Sequence, residues 1–198
     1  MALAPGFLIA SPPMGDPNFE RTVVLLAMHG PRGALGFVIN RVAPLKLGEV
    51  MSMAGYGPRV GELAGTVYVG GPVEPGSGWI LYSTASFKEN VEGAIDVTAD
   101  VRISSSREVF DALARDMEPP PDAATAALDI GKRMVFLGYS GWGPGQVENE
   151  IAHGAWLPAP FDPAVLFDVE IERRWEAAYA LMGVSPAMSI GMRTVGEA

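Results

Sequence analysis

The residues most able to do chemistry crowd into one stretch, Leu137 to Trp156, which reads Leu-Gly-Tyr-Ser-Gly-Trp-Gly-Pro-Gly-Gln-Val-Glu-Asn-Glu-Ile-Ala-His-Gly-Ala-Trp. Gly138-Tyr139-Ser140-Gly141 follows an apolar run and precedes a helical pattern, the setting of a serine nucleophile on a strand-to-helix elbow. An elbow needs glycine where this chain has Trp142, and a serine needs a base. His29 and His153 are the two histidines, and His153 is too near Ser140 for the usual order of such a triad. A tight turn of small residues is the preferred reading. Glu150-Ile151-Ala152-His153 has the carboxylate-x-x-His spacing of di-iron bundles, but that chemistry needs a second copy and two further carboxylates on long helices. No metal site is expected, and His153 reads as a favourable residue at a helix C-terminus. Gly143-Pro144-Gly145 opens a helix whose first N–H groups could hold a phosphate or carboxylate, with Trp142 stacked on a ring. Against this, no GxGxxG or Walker pattern occurs, and Glu148 and Glu150 already satisfy the helix dipole and would repel an anion.

A second polar cluster is Asp16, Asn18, Glu20 and Arg21. A carboxylate beside Arg and Asn could orient a ligand; the structural reading has Asp16 capping a turn, Phe19 entering the core and Glu20–Arg21 solvated. Asn40, after a strand, and Gly70-Gly71 read as turn chemistry. If the glycine-rich turns converge on one groove, its candidate ligand- or partner-binding residues are Asp16, Asn18, Arg21, Asn40, Gly70, Gly71, Trp142, Gly143, Gly145, Gln146 and Glu148. No catalytic residue, metal or cofactor is assigned.

These residues need elements to hold them. Phe7 to Ala10 reads as a short buried strand, and Thr22–His29 and Ala34–Arg41 as a hairpin around Gly30-Pro31-Arg32-Gly33. A helical piece is expected at Asn18 to Arg21. Leu47, Val50, Met51 and Ala54 recur at helical spacing up to Gly55. Strands follow at Thr66–Val69, Gly78–Ser83 and, once or twice, within Val91–Ser104; Val109, Phe110 and Leu113 stripe a helix. Three prolines make 117–122 a loop. Met134–Tyr139 is a strand that delivers the glycine-rich segment, Gln146–Ala152 a helix, and Ala155–Leu157 a short extended piece. Asp162-Pro163 caps a short helix, and Ile171, Trp175, Ala178 and Leu181 stripe the last one. Strands come in runs rather than in strict alternation with helices, so the fold class is α+β: a strongly bent or two-layer mixed sheet flanked by short helices. A single domain is expected over 1–183, with 184–198 a loose tail whose Met188 and Met192 could make contacts.

Composition narrows the function classes. The chain has 198 residues, of which 24 Gly and 17 Pro make it rich in turns, so short strands are favoured over long helices. A net charge of −9 disfavours phosphate backbones, and no helix–turn–helix with a basic second helix is visible. The absence of cysteine excludes disulfides, thiolate metal sites and a thiol nucleophile, and fits the cytoplasm. No secretory signal or membrane span is read.

Four blocks, in order, carry a resemblance: Met14-Gly15-Asp16-Pro17-Asn18-Phe19-Glu20-Arg21-Thr22-Val23, Gly33 to Arg41, Val69-Gly70-Gly71-Pro72-Val73, and Leu137 to Trp156. Together they resemble the bacterial AlgH/YqgE family and span Phe7 to Gly183. Ser140 stands where that family's pattern commonly has Ala. The resemblance implies an α+β, cytoplasmic bacterial protein; some members carry the label of transcriptional regulator without an established mechanism. The leading expectation is a non-catalytic binding or regulatory protein with an unidentified protein partner or small ligand, any effect on transcription being indirect. The alternative is a small-molecule hydrolase or a phosphate- or nucleotide-binding enzyme using 138–150.

Overall fold

Consecutive apolar residues near the N-terminus form strands that are buried on both faces. A computed structural model describes residues 3–57, 65–85, 91–117 and 132–187. In it β1 (Gly6–Ala10) and β2 (Val23–Gly30) pair antiparallel, with Phe7 opposite Leu25 and Ile9 opposite Val23. Phe7, Ile9, Val23 and Leu25 enter one core cluster, while Leu8, Ala10, Val24 and Leu26 enter another on the opposite face. Strands with apolar residues on both sides must lie centrally, because either face would otherwise leave apolar surface in water. β3 (Gly33–Val38) completes the hairpin.

The chain then makes α1 (Leu47–Met53), β4 (Val67–Val69), β5 (Val73–Ser83), β6 (Ile95–Asp96), β7 (Val101–Ser104), α2 (Arg107–Met117), β8 (Arg133–Trp142), α3 (Gln146–Ala152), β9 (Trp156–Pro160) and α4 (Pro163–Phe167). A 3-10 turn (Ile171–Arg173) leads into α5 (Arg174–Ala180). Among the described residues nine strands form one mixed sheet in the order β6-β7-β5-β8-β3-β2-β1-β9, with β4 parallel to β8. It curls until β6 comes near β2 but does not close.

The curl originates in β8. Its first half pairs with β5 on one side and β4 on the other, Val67–Val69 lying beside Val135–Leu137. Its last residues, Ser140 to Trp142, pair instead with Gly36 to Ala34 of β3. The exchange of neighbours happens at Gly138, which adopts φ +68, a left-handed conformation that favours glycine. At this point Gly70 N–H donates to the Leu137 carbonyl (2.8 Å), and the Gly70 carbonyl accepts from Val38 N–H (2.8 Å) and the Ser140 hydroxyl (3.1 Å). A Cβ on Gly70 would lie 2.3 Å from the Gly138 carbonyl oxygen, so the strands can approach this closely only without one.

Three apolar clusters result. Inside the curl, Val165, Leu166, Trp175, Ala178 and Tyr179 from α4 and α5 pack on Phe7, Leu25, Phe37 and Phe136. α1 and α2 cover one outer face through Leu47, Met51, Val109 and Leu113 on Ile80, Tyr82 and Val135. α3 and the segment before β2 cover the other, with Val147, Trp142 and Trp156 on Leu8, Val24 and Leu26. Trp175 Nε1 donates to the Ala10 carbonyl (3.0 Å), tying α5 to β1. Asp162 caps α4 as expected, accepting from Ala164 N–H at 2.9 Å.

Three local expectations need correction. Residues 17–21 form turns rather than a helical piece, held by bonds from Phe19 N–H and Glu20 N–H to the Asp16 carbonyl. β5 starts at Val73, earlier than expected, because residues 74–77 bulge between the pairs Val73–Tyr139 and Gly78–Leu137. β8 runs on through Gly141 to Trp142, past the Tyr139 at which the strand was expected to end, while α3 spans Gln146–Ala152 as expected. The proline loop from 118 onward and the tail from 188 onward, with Met188 and Met192, lie outside the described residues.

Gly70→Ala should therefore destabilise the protein by about 1–3 kcal/mol, as an overpacked strand crossing does. Gly76→Ala, whose Cβ meets nothing within 4 Å, should change stability by about 0.5 kcal/mol or less. Denaturant unfolding of the two variants measures the contrast.

Candidate functional site

β8 runs on past Gly138 and so carries Trp142 to the edge of the glycine turn. Gly145, with φ +71, reverses the chain before α3, and Gly143 N–H donates to Gln146 Oε1 at 3.0 Å. Val147 of α3 is fully buried against the sheet, and Ile151 is packed beside it. That orientation puts Gln146 and Glu150, four residues apart on one helix face, beside the end of β8. Gln146 Nε2 donates to Glu150 Oε1 at 2.8 Å. Glu150 Oε2 accepts two indole N–H groups, from Trp142 at 2.9 Å and from Trp156, the first residue of β9, at 2.8 Å. One carboxylate thus fixes two tryptophans and a glutamine. The indoles meet edge to face, 6.0 Å apart, and Phe19 packs on both, at 6.3 Å from Trp142 and 5.2 Å from Trp156.

Beside these rings is a cavity of about 260 Å³, lined by Met14, Asp16, Phe19, Pro72, Gly141, Trp142, Gln146, Glu150, Ala155 and Trp156. Asp16 is exposed at its rim and accepts from Asn18 N–H through Oδ1 at 2.8 Å. Of the residues singled out in the sequence, Asp16, Trp142 and Gln146 share this cavity. Gly143 and Gly145 shape the turn that leads to it.

The other candidates are elsewhere. Asn40 acts as a brace: Oδ1 accepts from Val23 N–H and Nδ2 donates to the Arg21 carbonyl, both at 2.9 Å. Arg21 lays its guanidinium over Trp175, 4.8 Å from the ring centroid. Asn18 contributes its backbone to the Asp16 turn. Gly70 and Gly71 form the close crossing against β8, behind the cavity, and their neighbour Pro72 reaches its lining. Ser140 is 0% exposed, and its hydroxyl donates to the Gly70 carbonyl. It has neither the access nor the orientation of a nucleophile. His153 Nδ1 lies 2.8 Å from the Asn149 carbonyl at the end of α3. Among the described residues, no group of His, Cys, Asp and Glu side chains could hold a metal ion.

Sequence reasoning misses two members of the site and one of its supports. In the sequence Glu150 reads as a ligand in a metal pattern and as a repeller of anions; its spacing from Gln146 is the signal that could find it. Trp156 closes the fourth sequence block, and nothing in its spacing marks it as a wall of the cavity. Arg41 carried no signal at all, yet its guanidinium donates to the carbonyls of Pro17 (2.6 Å) and Glu20 (3.0 Å) and so holds the Phe19 turn against the site.

Glu148 faces away from the cavity and bonds His29 Nε2 at 2.9 Å. Its own backbone N–H, and then the His29 contact, hold its carboxyl below the usual value of 4.5. A lowered folded pKa means the contribution to stability is fully present above that usual value and is lost as pH falls through the lowered one. His29→Gln should raise the Glu148 midpoint part of the way back, which an NMR titration of the side-chain carboxyl would follow. Glu150→Gln should cost about 1–3 kcal/mol, because an amide cannot accept all three bonds and its NH2 opposes a donor. Denaturant unfolding and the two indole N–H resonances measure this.

The match to known proteins runs along nearly the whole chain. The AlgH-like family model matches residues 7–187. A UPF0301 protein of Anaeromyxobacter sp. (strain K) is 41% identical over 190 residues, covering 93% of this chain and 90% of the relative. One from Chromobacterium violaceum is 35% identical, covering 95% and 94%. The solution structure of the AlgH protein from Pseudomonas aeruginosa superposes with a TM-score of 0.74 at 35% identity, covering 95% of this chain and 93% of that one. A crystal structure from Corynebacterium diphtheriae, TM-score 0.62 at 20% identity, covers 89% and 85% and shares the fold. With its bent mixed sheet and its four sequence blocks in place, this chain belongs to the AlgH-like family.

Proposed function

We propose that this protein is a non-catalytic binding protein of the cytoplasm, and that its indole-walled cavity receives a positively charged side chain of a protein partner. Any influence on transcription is exerted through that partner. The observation that carries the reading is the grouping of two carboxylates, Asp16 and Glu150, with the rings of Phe19, Trp142 and Trp156 around one cavity. Carboxylates attract a cation by charge and aromatic faces attract it by their quadrupole, and the same walls disfavour phosphate. A net charge of −9 adds long-range attraction for a basic partner and opposes direct contact with nucleic acid. The hydrogen bonds already made by Glu150 support a site for binding rather than proton transfer, since its oxygens are occupied by three donors. The competing reading, a hydrolase or nucleotide-binding enzyme built on 138–150, has less support: Ser140 is buried and the segment's carboxylates oppose an anion.

A photo-crosslinking residue in place of Pro72, exposed at the rim, tests this in the native cytoplasm. The expected product is a protein adduct whose yield falls with added salt and is lost in Asp16→Lys, while Asp16→Asn retains part of it. Absence of a protein adduct, or an adduct indifferent to Asp16→Lys, overturns the partner reading. Fluorophosphonate labelling that depends on Ser140 overturns the non-catalytic one.

A further inference from the structure

A second cavity lies against the part of β8 before the bend, between α1 and α2, and no residue of the four sequence blocks except Leu137 takes part in it. It has a volume of about 440 Å³ and is lined mostly by apolar groups, among them Val50, Met53, Ala54, Phe110 and Leu137. That size falls in the range of small-molecule sites, which are apolar clefts with a few polar groups to orient the ligand. The bulge of β5 creates it: Pro75 and Gly76 turn outward, and Gly78 lets the Phe110 ring lie close, since a Cβ there would come within 2.8 Å of it. Met53, at 78% exposure, is one of few large apolar side chains so open among the described residues, and it sits on this lining.

The charged group of the lining comes from the start of α2. Ser105 and Arg107 line the cavity where α2 begins. The Arg107 guanidinium is 5.4 Å from the centroid of the Tyr56 ring, and its ion pair with Asp111 is long, 3.7 Å through Nε. Asp111 instead accepts a short bond from the Tyr56 hydroxyl, 2.6 Å. Burial, reinforced by that bond, pushes the Tyr56 hydroxyl up to about 12, so this wall remains a neutral phenol at any physiological pH. The cavity therefore presents an apolar interior with one exposed, loosely paired cation at its edge.

We propose that this cleft binds a small amphipathic anion, with its apolar body between α1 and α2 and its carboxylate or sulfonate at Arg107. The apolar walls exclude a bare inorganic anion, and the guanidinium favours a charged head over a neutral one by paired, charge-assisted hydrogen bonds. The site is independent of the indole cavity, so either assignment can fail without the other.

Decanoate is a suitable probe, with decan-1-ol as its neutral counterpart. Titrated into the isotope-labelled protein, decanoate should give saturable shifts at the amides of Val50, Ala54, Phe110 and Leu137, leaving the Trp142 and Trp156 indole N–H resonances in place. Ala54→Trp, a substitution at an exposed position that fills the cavity, should abolish these shifts; Ser52→Trp, on the same helix but outside the lining, should keep them. Arg107→Gln, also at an exposed position, should weaken decanoate by about tenfold while leaving decan-1-ol unchanged. Shifts that do not saturate, that persist in Ala54→Trp, that centre on the indole cavity, or that weaken equally for acid and alcohol in Arg107→Gln would each overturn the proposal.

Discussion

The close crossing of backbones at Gly138 and Gly70 is the constraint on which the rest of the molecule depends. A strand that keeps one set of neighbours along its whole length builds an evenly twisted sheet. β8 does not: it leaves β4 and takes up β3 within a few residues, and the change requires a left-handed residue in the strand and a partner without a side chain facing it. The Ser140 hydroxyl donates to the same carbonyl, Gly70, that receives the β3 strand end, so the crossing is also satisfied in hydrogen bonds. The bend lets one sheet wrap an inner core and still leave two outer faces for helices.

The same strand then serves both cavities. Gly141 and Trp142, beyond the bend, face the segment that precedes β2 and the start of α3; Leu137, before it, faces α1 and α2. The two sites differ in chemistry because different elements cover the two outer faces. Over the first, a carboxylate organises aromatic rings, and holding it half-buried is tolerable because three donors replace part of its water. Over the second, helix side chains meet a bulged strand that leaves apolar space unfilled. In both places the interior-facing residues hold the shape and the rim residues, Asp16 and Arg107, carry the charge.

Several polar residues of the sequence blocks turn out to be supports. Asn40 substitutes for backbone between Val23 and Arg21, and Arg41 gathers the carbonyls of the Phe19 turn. Arg21 rests on Trp175 and Glu148 ties α3 to His29 at the end of β2. None of these lies at the indole cavity, but the turn and helix they secure carry Phe19 and Glu150 into it. A signature rich in polar residues can thus be largely about holding one loop in place.

The strands, helices and fold class were legible in the sequence because they rest on local rules: β1 and β2 as unbroken apolar runs, α3 from its Val147–Ile151 spacing, α4 from Asp162-Pro163, and the family from four blocks in order. A mixed sheet, strongly bent or two-layered, also followed from strands in runs and from the abundance of turns, and the tertiary structure decided for the bend. The partners of Glu150 were not legible, since Trp142 and Trp156 reach it from two strands set by long-range pairing, and spacing along a chain does not report which side chains meet. The same holds for Ser140, whose neighbours match an elbow until a distant carbonyl claims its proton, and for the α1–α2 cleft, which exists because β5 bulges against β8. Local propensity and periodicity chose the pieces; their mutual approach, fixed by packing and by the need to satisfy buried polar groups, decided which residues share a site.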